Sequence, residues 1–507
     1  MPPLDRRGFV AGAGLGAVLG LGGCAAAGRA GGALRFAHGV ASGDPGPDRV
    51  VIWTRLDGAS GPEEVEWLVA RGPGLRAVVR RGRVVADPAR DFCCKVDVEG
   101  LEPGATYWYG FRAGGRRSAT GRTRTLPRDG VARLRFAVTA CANRQQGSFA
   151  AYARIAGLGA LDAVLHLGDY IYEYGDQSGG RLPLDPPHET LTLSDYRRRY
   201  AFYRRDPALQ ACHGAHPFIA VWDDHETANN AWRDGAGNHD PAREGPWPAR
   251  RAAAVQAWRE WMPVRDAAAD APIHRSFRFG DLADLIMLDT RLEGREQPVA
   301  SARDIASYPD RDMLGPAQEA WLFGELDASQ WRGARWRLLG QQVVFSPLGD
   351  FNPDQWDGYP QARRRILEHL RRGGIDNVVV LSGDIHSAWA LDVAADPYDR
   401  AAYDGPTGSG AQAVEFVTPG IASEPLGDYL ARRDPAARAR MEAGIPRQPH
   451  LRFADYASRG FVSIALDAER VEATWHFVAD PADPRSRVAA VHSETVRAGE
   501  NRLERAV

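Results

Sequence analysis

The stretch AVLHLGDYIYEYG, residues 163–175, joins an apolar run to a carboxylate and a cluster of phenols. Ala163 to Leu167 has the length and composition of a buried strand. Gly168 ends the run, and Asp169, Tyr170, Tyr172, Glu173 and Tyr174 follow at once. A buried strand gains no stability from running into an acid, so the acid needs another reason. In α/β sheets, ligands bind outside the carboxyl ends of the strands. The stretch therefore reads as a core strand with a site at its exit.

The pattern recurs on both sides of this stretch. LRFAVTA (134–140) leads into Cys141, with Asn143 two residues on. HPFIAVW (216–222) leads into Asp223, Asp224, His225 and Glu226, and NVVVLS (377–382) into Gly383, Asp384, Ile385 and His386. ADLIMLD (283–289) and WRLLGQQVVF (336–345) read as further strands. Helical patterns fall between them, at 147–157, 249–262 and 315–326. Strands alternating with helices predict a layered α/β domain over residues 129–507. Four such strands lying side by side would gather a thiol, carboxylates, a phenol and imidazoles at one place. Thiolate and imidazole suit transition metals. A phenol, with an ordinary pKa of about 10, needs a strongly polarising ion before it ligates at neutral pH. A group made of oxygens alone suits a hard ion.

Before this domain the patterns change. RVVIWTRL (49–56), VEWLVA (65–70), AVVRRGRVV (77–85) and GLEPGATYWYGFRAG (100–114) are short, strand-like and turn-punctuated. They predict an N-terminal β-sandwich over 32–128 that carries no cluster of ligating groups. LPRDGVA (126–132) reads as a linker and the Pro/Gly-rich 176–190 as a surface loop. Residues 1–31 read as a cleaved export signal: Arg6 and Arg7 precede the apolar run Phe9–Leu21, which suits the Tat machinery as partner. LGGC, ending at Cys24, resembles a lipoprotein cleavage box, which would add a lipid anchor. The expected location is extracellular or periplasmic. Net charge is −2 and no basic stripe interleaves with aromatics, so nothing points to nucleic acid. Of the five cysteines, Cys93 and Cys94 are adjacent and poorly placed to bridge, so this is not a disulfide scaffold.

These motifs resemble the metallophosphoesterases, and in their altered form the PhoD-like alkaline phosphatases. The resembling stretches are CAN (141–143), GDYIY (168–172), DDHE (223–226) and GDIH (383–386). HGVASGDP (38–45), VIWTRL (51–56), VWDDHETANNAW (221–232), LDTR (288–291) and LGQQV (339–343) add to them. The resemblance implies a layered αββα catalytic domain and two metals. Carried over by position, one metal takes Cys141, Asp169, Tyr172 and His386; the other shares Asp169 and adds Asp224 and Asp384. The resemblance implies Fe3+ for the first and Ca2+ for the second. It gives His225 the role of stabilising the transition state and protonating the leaving oxygen. Asn143 would serve either site or orient a ligand. Asp223 reads as a supporting residue rather than a ligand, and Glu226 is left open.

Other candidates carry less weight. GNHD (237–240) follows a polar loop and no strand, and reads as rim. His213 and His216 precede their strand and lie at its wrong end; His38 reads as structural. In YRRRYAFYRRD (196–206), Arg197 is a candidate phosphate contact. The expected activity is hydrolysis of phosphate esters of organic alcohols. A phospholipase D-type diesterase on the same fold is the rival within that chemistry. A non-catalytic surface-binding protein is the rival outside it.

Overall fold

A computed structural model describes residues 33–159, 161–268, 271–349 and 352–505. The expected signal, with Arg6, Arg7 and Cys24, lies outside these residues. Two large sheets face one another, with helices on their outer sides. In the first, Leu134–Thr139, Ala163–His166 and Phe218–Ala220 are neighbours and run parallel. In the second, Ala283–Met287, Trp336–Gly340, Val378–Ser382 and Ala411–Val417 run parallel in that order.

Side-chain alternation explains the layering. Leu285, Leu338 and Val379 point into the inter-sheet core with Phe136, Leu165 and Ile219. Their neighbours Ile286, Leu339 and Val380 point outward, onto Leu322, Leu326, Ile366 and Leu370. Those three leucines and one isoleucine belong to helices Gly315–Arg332 and Pro360–Gly373. Both faces of these strands are thus buried, which is why they read as unbroken apolar runs.

One expectation needs correction. The four ligand-bearing strands do not all lie side by side. Three are adjacent in the first sheet, whereas Val378–Ser382 belongs to the second. The carboxyl ends of both sheets converge instead, tied where Ala140 bridges Gly420 in parallel and Ile421 N–H donates to Ala140 at 3.0 Å. The 32–128 segment does form two packed layers, and one of them continues into the catalytic sheet. Val40–Gly43 pairs in parallel with Phe218–Ala220, and Arg49–Arg55 and Cys93–Glu99 extend the same sheet to nine strands. A smaller sheet, built on Glu63–Ala70, Val78–Ala86 and Thr106–Ala113, covers this extension. Val50, Ile52, Val65, Tyr107 and Phe111 fill the space between them. Without Val40–Gly43, the strand Phe218–Ala220 that leads to Asp223 and Asp224 would be an open edge.

Trp53 locks this extension to the catalytic region. It is fully buried, donates from Nε1 to the Glu260 carbonyl at 2.9 Å, and lies under the Arg204 guanidinium. Trp53→Ala should cost about 3–5 kcal/mol in urea denaturation. The loss should appear in a single transition by circular dichroism and fluorescence; two separated transitions would mean that the N-terminal strands fold independently.

Candidate metal centre

Each ligand candidate stands on a segment leaving a strand, and three of the four turns share a backbone signature. Cys141, Asp169, Asp384 and His386 all have left-handed φ, at 56°, 56°, 67° and 50°. Non-glycine residues rarely adopt it, and their clustering at a site marks stored strain. Gly168, with φ 114°, has no alternative: a Cβ there would sit 2.3 Å from the Asp223 Cβ and backbone nitrogen.

Glu226, left open by the sequence, shapes this turn. Its carboxylate accepts from the backbone N–H of Asp169 (2.9 Å), Tyr170 (2.6 Å) and Asp223 (2.8 Å). It thereby binds two strand exits together.

The exits bring the expected ligands into reach. Cys141, Asp169 and His386 offer donor atoms within 4.8 Å of one another, as do Asp169, Asp224 and His225, and Asp223, Asp224 and Asp384. Tyr172 completes the first group. Its phenolic oxygen is 2.9 Å from Asp169 Oδ2, 3.0 Å from His386 Nε2 and 2.8 Å from Ser423 Oγ. His386 Nδ1 faces the Glu424 carbonyl at 2.9 Å, so it carries the proton and Nε2 presents its lone pair. Ser423 also reaches the Cys141 carbonyl at 2.9 Å.

With Asp169 ionised, the proton count around Tyr172 does not close. Its one proton can go to Asp169 or to His386, and the other acceptor then faces a lone pair. Burial holds His386 neutral, lowering it to about 4. Burial, with the Asp169 charge beside each, pushes the Cys141 thiol and the Tyr172 phenol well above their ordinary values. A cation among these four groups resolves the mismatch and favours thiolate and phenolate, so the donor set fits one.

The second group is all oxygen and holds more charge than it balances. Asp224 Oδ1 is buried and has no hydrogen-bond partner among the described residues, while Oδ2 accepts from Asn230 N–H at 2.5 Å. Burial would raise Asp224, but Arg291 and His225 outweigh it and hold the carboxyl below its ordinary range. Burial raises Asp384 to about 7 despite the neighbouring Arg291. Arg291, fully buried, donates to Asp223 (2.5 Å), Asp354 (2.7 Å) and Asp384 (2.6 Å), and lies 3.6 Å from Asp224. A buried acid oxygen without a hydrogen bond, beside acids already fixed by the same guanidinium, suits a hard cation.

His225 stacks on Tyr172 at 4.1 Å between ring centroids. Its Nδ1 meets Glu173 Oε2 at 2.7 Å. Burial would lower its pKa, but Asp224, Glu173 and Asp169 together raise it well above the ordinary histidine value. Glu173 also accepts from Asn229 N–H and Asn238 Nδ2, so GNHD contributes Asn238 to the support of His225.

Two weaker candidates stand differently. Asn143 is beside the cluster through its N–H to Ser423 Oγ at 3.2 Å, but its Oδ1 caps its own turn at Gln145 N–H. Arg197 is a correction: its guanidinium is taken by both oxygens of Glu260 at 2.7 Å and by the Ala89 carbonyl, and none of these partners belongs to the cluster. His38, His213 and His216 satisfy Asp57, Tyr170 and the Ile155 carbonyl, as core histidines do.

Sequence reasoning missed Arg291, Asp354, Glu173 and Ser423. LDTR was a recognisable stretch and Glu173 follows the GDYIY motif, but nothing local marks Asp354 or Ser423. Glu226→Gln tests the turn geometry: the amide offers one acceptor oxygen, so at least one backbone N–H loses its partner. About 1–3 kcal/mol of stability should go, with a fall in metal content by elemental analysis; an unchanged metal content would refute this role.

The PhoD-like phosphatase model matches residues 136–475, and the model of that family's N-terminal domain matches 23–127. The chain is 36% identical over 488 residues to alkaline phosphatase D of Bacillus subtilis (strain 168), covering 88% of this chain and 78% of that protein. A solved structure titled "Structure of PhoD" superposes with a TM-score of 0.83 at 32% identity, over 92% of this chain and 91% of the other. Both halves of the chain and the strand exits between them thus fall within one lineage: the chain belongs to the PhoD-like phosphatase family.

Proposed function

We propose that this phosphoric ester hydrolase holds Fe3+ through Cys141, Asp169, Tyr172 and His386, and Ca2+ through Asp169, Asp224 and Asp384. The reading rests above all on the phenolic oxygen of Tyr172, which has more acceptors around it than protons to offer them. When bound, such cations polarise a phosphoryl oxygen and provide the nucleophile from water at neutral pH.

The chain's own residues do the rest. Glu173 takes Nδ1 of His225 and leaves Nε2 for the substrate. As the water oxygen bonds to phosphorus and the ester P–O bond breaks, the Nε2 proton passes to the leaving alkoxide. The imidazolium also offsets the charge that gathers on the phosphoryl oxygens. Arg291 keeps the acids of the second group apart and prevents their mutual repulsion from opening the gap between the sheets. Asn143 supports Ser423, which in turn borders Tyr172.

Paired Arg6 and Arg7 and the LGGC box support export by the Tat route with a lipid on Cys24. No helix among the described residues is long and apolar enough to cross a membrane.

Two measurements test this reading. Elemental analysis of the purified protein should give iron and calcium, with a visible band from Fe3+–phenolate or thiolate. A colourless, metal-free preparation that hydrolyses neither a phosphate monoester nor a diester chromogen would instead support a binding protein. The ratio of the two chromogen rates separates monoesterase from diesterase. The pH profile tests His225. Its proton is retained below its raised pKa and lost as the pH rises through it, so kcat should fall on the alkaline side. Glu173→Gln removes one of the carboxylates that raise it, and should move that alkaline limb about one unit down. An unmoved limb would remove His225 as the proton donor.

A further inference from the structure

The motif YRRRYAFYRRD contains an arginine whose environment is unlike the others. Arg199 lies on the inner face of helix Leu193–Arg204 and is fully buried. Most other arginines near it meet carboxylates: Arg197 meets Glu260 and Arg198 meets Asp185. Arg199 meets four backbone carbonyls. Nη1 donates to Tyr172 and, at 2.8 Å, to Tyr174. Nη2 donates to Pro186 at 2.8 Å and to His188 at 3.2 Å.

These carbonyls come from two limbs of one excursion. Residues 172–174 leave the strand exit, and 186–188 return from the Pro/Gly-rich loop. Side chains of the first limb serve both halves of the proposed chemistry. Tyr172 reaches Asp169 and His386, while Glu173 holds His225. A planar guanidinium has donors in a fixed fork, and here the two arms of the fork face the two limbs. A helix is a rigid support for such a clasp. The other inner-face residue of that helix beside the site, Tyr196, fixes the Thr227 carbonyl just past Glu226.

Resting on the functional reading above, we infer that Arg199 is a positioning residue: its guanidinium clasps the two limbs and sets the Tyr172 phenol and the Glu173 carboxylate at once. It touches no reacting atom. Its effect is on turnover and on the phenol's environment rather than on substrate affinity. Lysine keeps the charge but has a single, compact ammonium, which cannot span both limbs in this geometry.

Arg199→Lys and Arg199→Met test this, with Arg198→Lys on the exposed face as control. In folded Arg199→Lys, kcat should fall at least tenfold while KM changes less than about threefold. The visible band should weaken or shift, and Arg198→Lys should match wild type. A folded Arg199→Lys with wild-type kcat and an unshifted band overturns the inference. If Arg199→Met does not fold, the lysine variant decides alone. A readout free of metal and of activity is trypsin cleavage after Arg181, which lies between the two limbs. In metal-stripped protein it should be at least tenfold faster in Arg199→Lys than in wild type, and equal rates count against the clasp. A wild-type protein lacking metal and hydrolysis would sink the functional reading, while the cleavage rates still judge Arg199.

Discussion

Buried negative charge is the condition to which this structure answers. Asp169, Asp223, Asp224, Asp354, Glu173 and Glu226 are buried, and Asp384 half-buried, within one gap between two sheets. Taking a carboxylate out of water is tolerable only when it is paired and hydrogen-bonded. The chain provides three kinds of answer. Arg291 gives a fixed charge to three acids, the backbone N–H groups of the strand exits satisfy Glu226, and His225 pairs with Glu173. What they leave over is the Oδ1 of Asp224, which accepts no hydrogen bond, and the proton shortage around Tyr172. The site is therefore the residue of an otherwise careful neutralisation, and its leftover has the sign and the donor types that draw cations.

The strand exits were legible because each combined two strong local signals. Strands buried on both faces show as continuous apolar runs, and a Gly-Asp or Asp-His step immediately after such a run has no packing rationale. Asp169, Asp224, Asp384 and His386 became ligand candidates this way, while Cys141 and Tyr172 drew their weight from the resemblance of CAN and GDYIY. Which sheet holds the fourth strand was not legible, since parallel strands of either sheet have the same composition. Residues that support the ligands were harder still. Ser423 sits about 250 residues from Tyr172 in the chain, and Asp354 and Arg291 meet only through the fold. Arg197 misled because this arginine-rich helix turns inward the guanidinium groups of Arg199 and Arg204 instead, and neighbouring positions on the same helix point in different directions.

The N-terminal segment illustrates a different limit. Its short alternating strands have the pattern of a sandwich, and two layers do pack there, with Val50 and Ile52 against Tyr107 and Phe111. Pattern alone does not say which layer continues into a neighbouring sheet. That depends on whether an edge is left to pair with, and Phe218–Ala220 supplies it. The conversion of an expected appendage into a structural wall of the catalytic sheet also explains why Trp53 and Trp261 are in contact across the supposed boundary.

The order of strands in that first sheet has a temporal side. Its members come from residues 40–55, 93–99, 134–220 and 460–497, so late and early segments of the chain flank its middle on either side. Gly460–Leu466 lies directly against Leu134–Thr139, the strand that leads to Cys141. Pairings between such distant segments form slowly and cannot close until nearly all of the polypeptide has left the ribosome. Maturation is therefore a single late event rather than a succession of modules. The pocket for cations comes into being only then, in whichever compartment the finished chain first condenses.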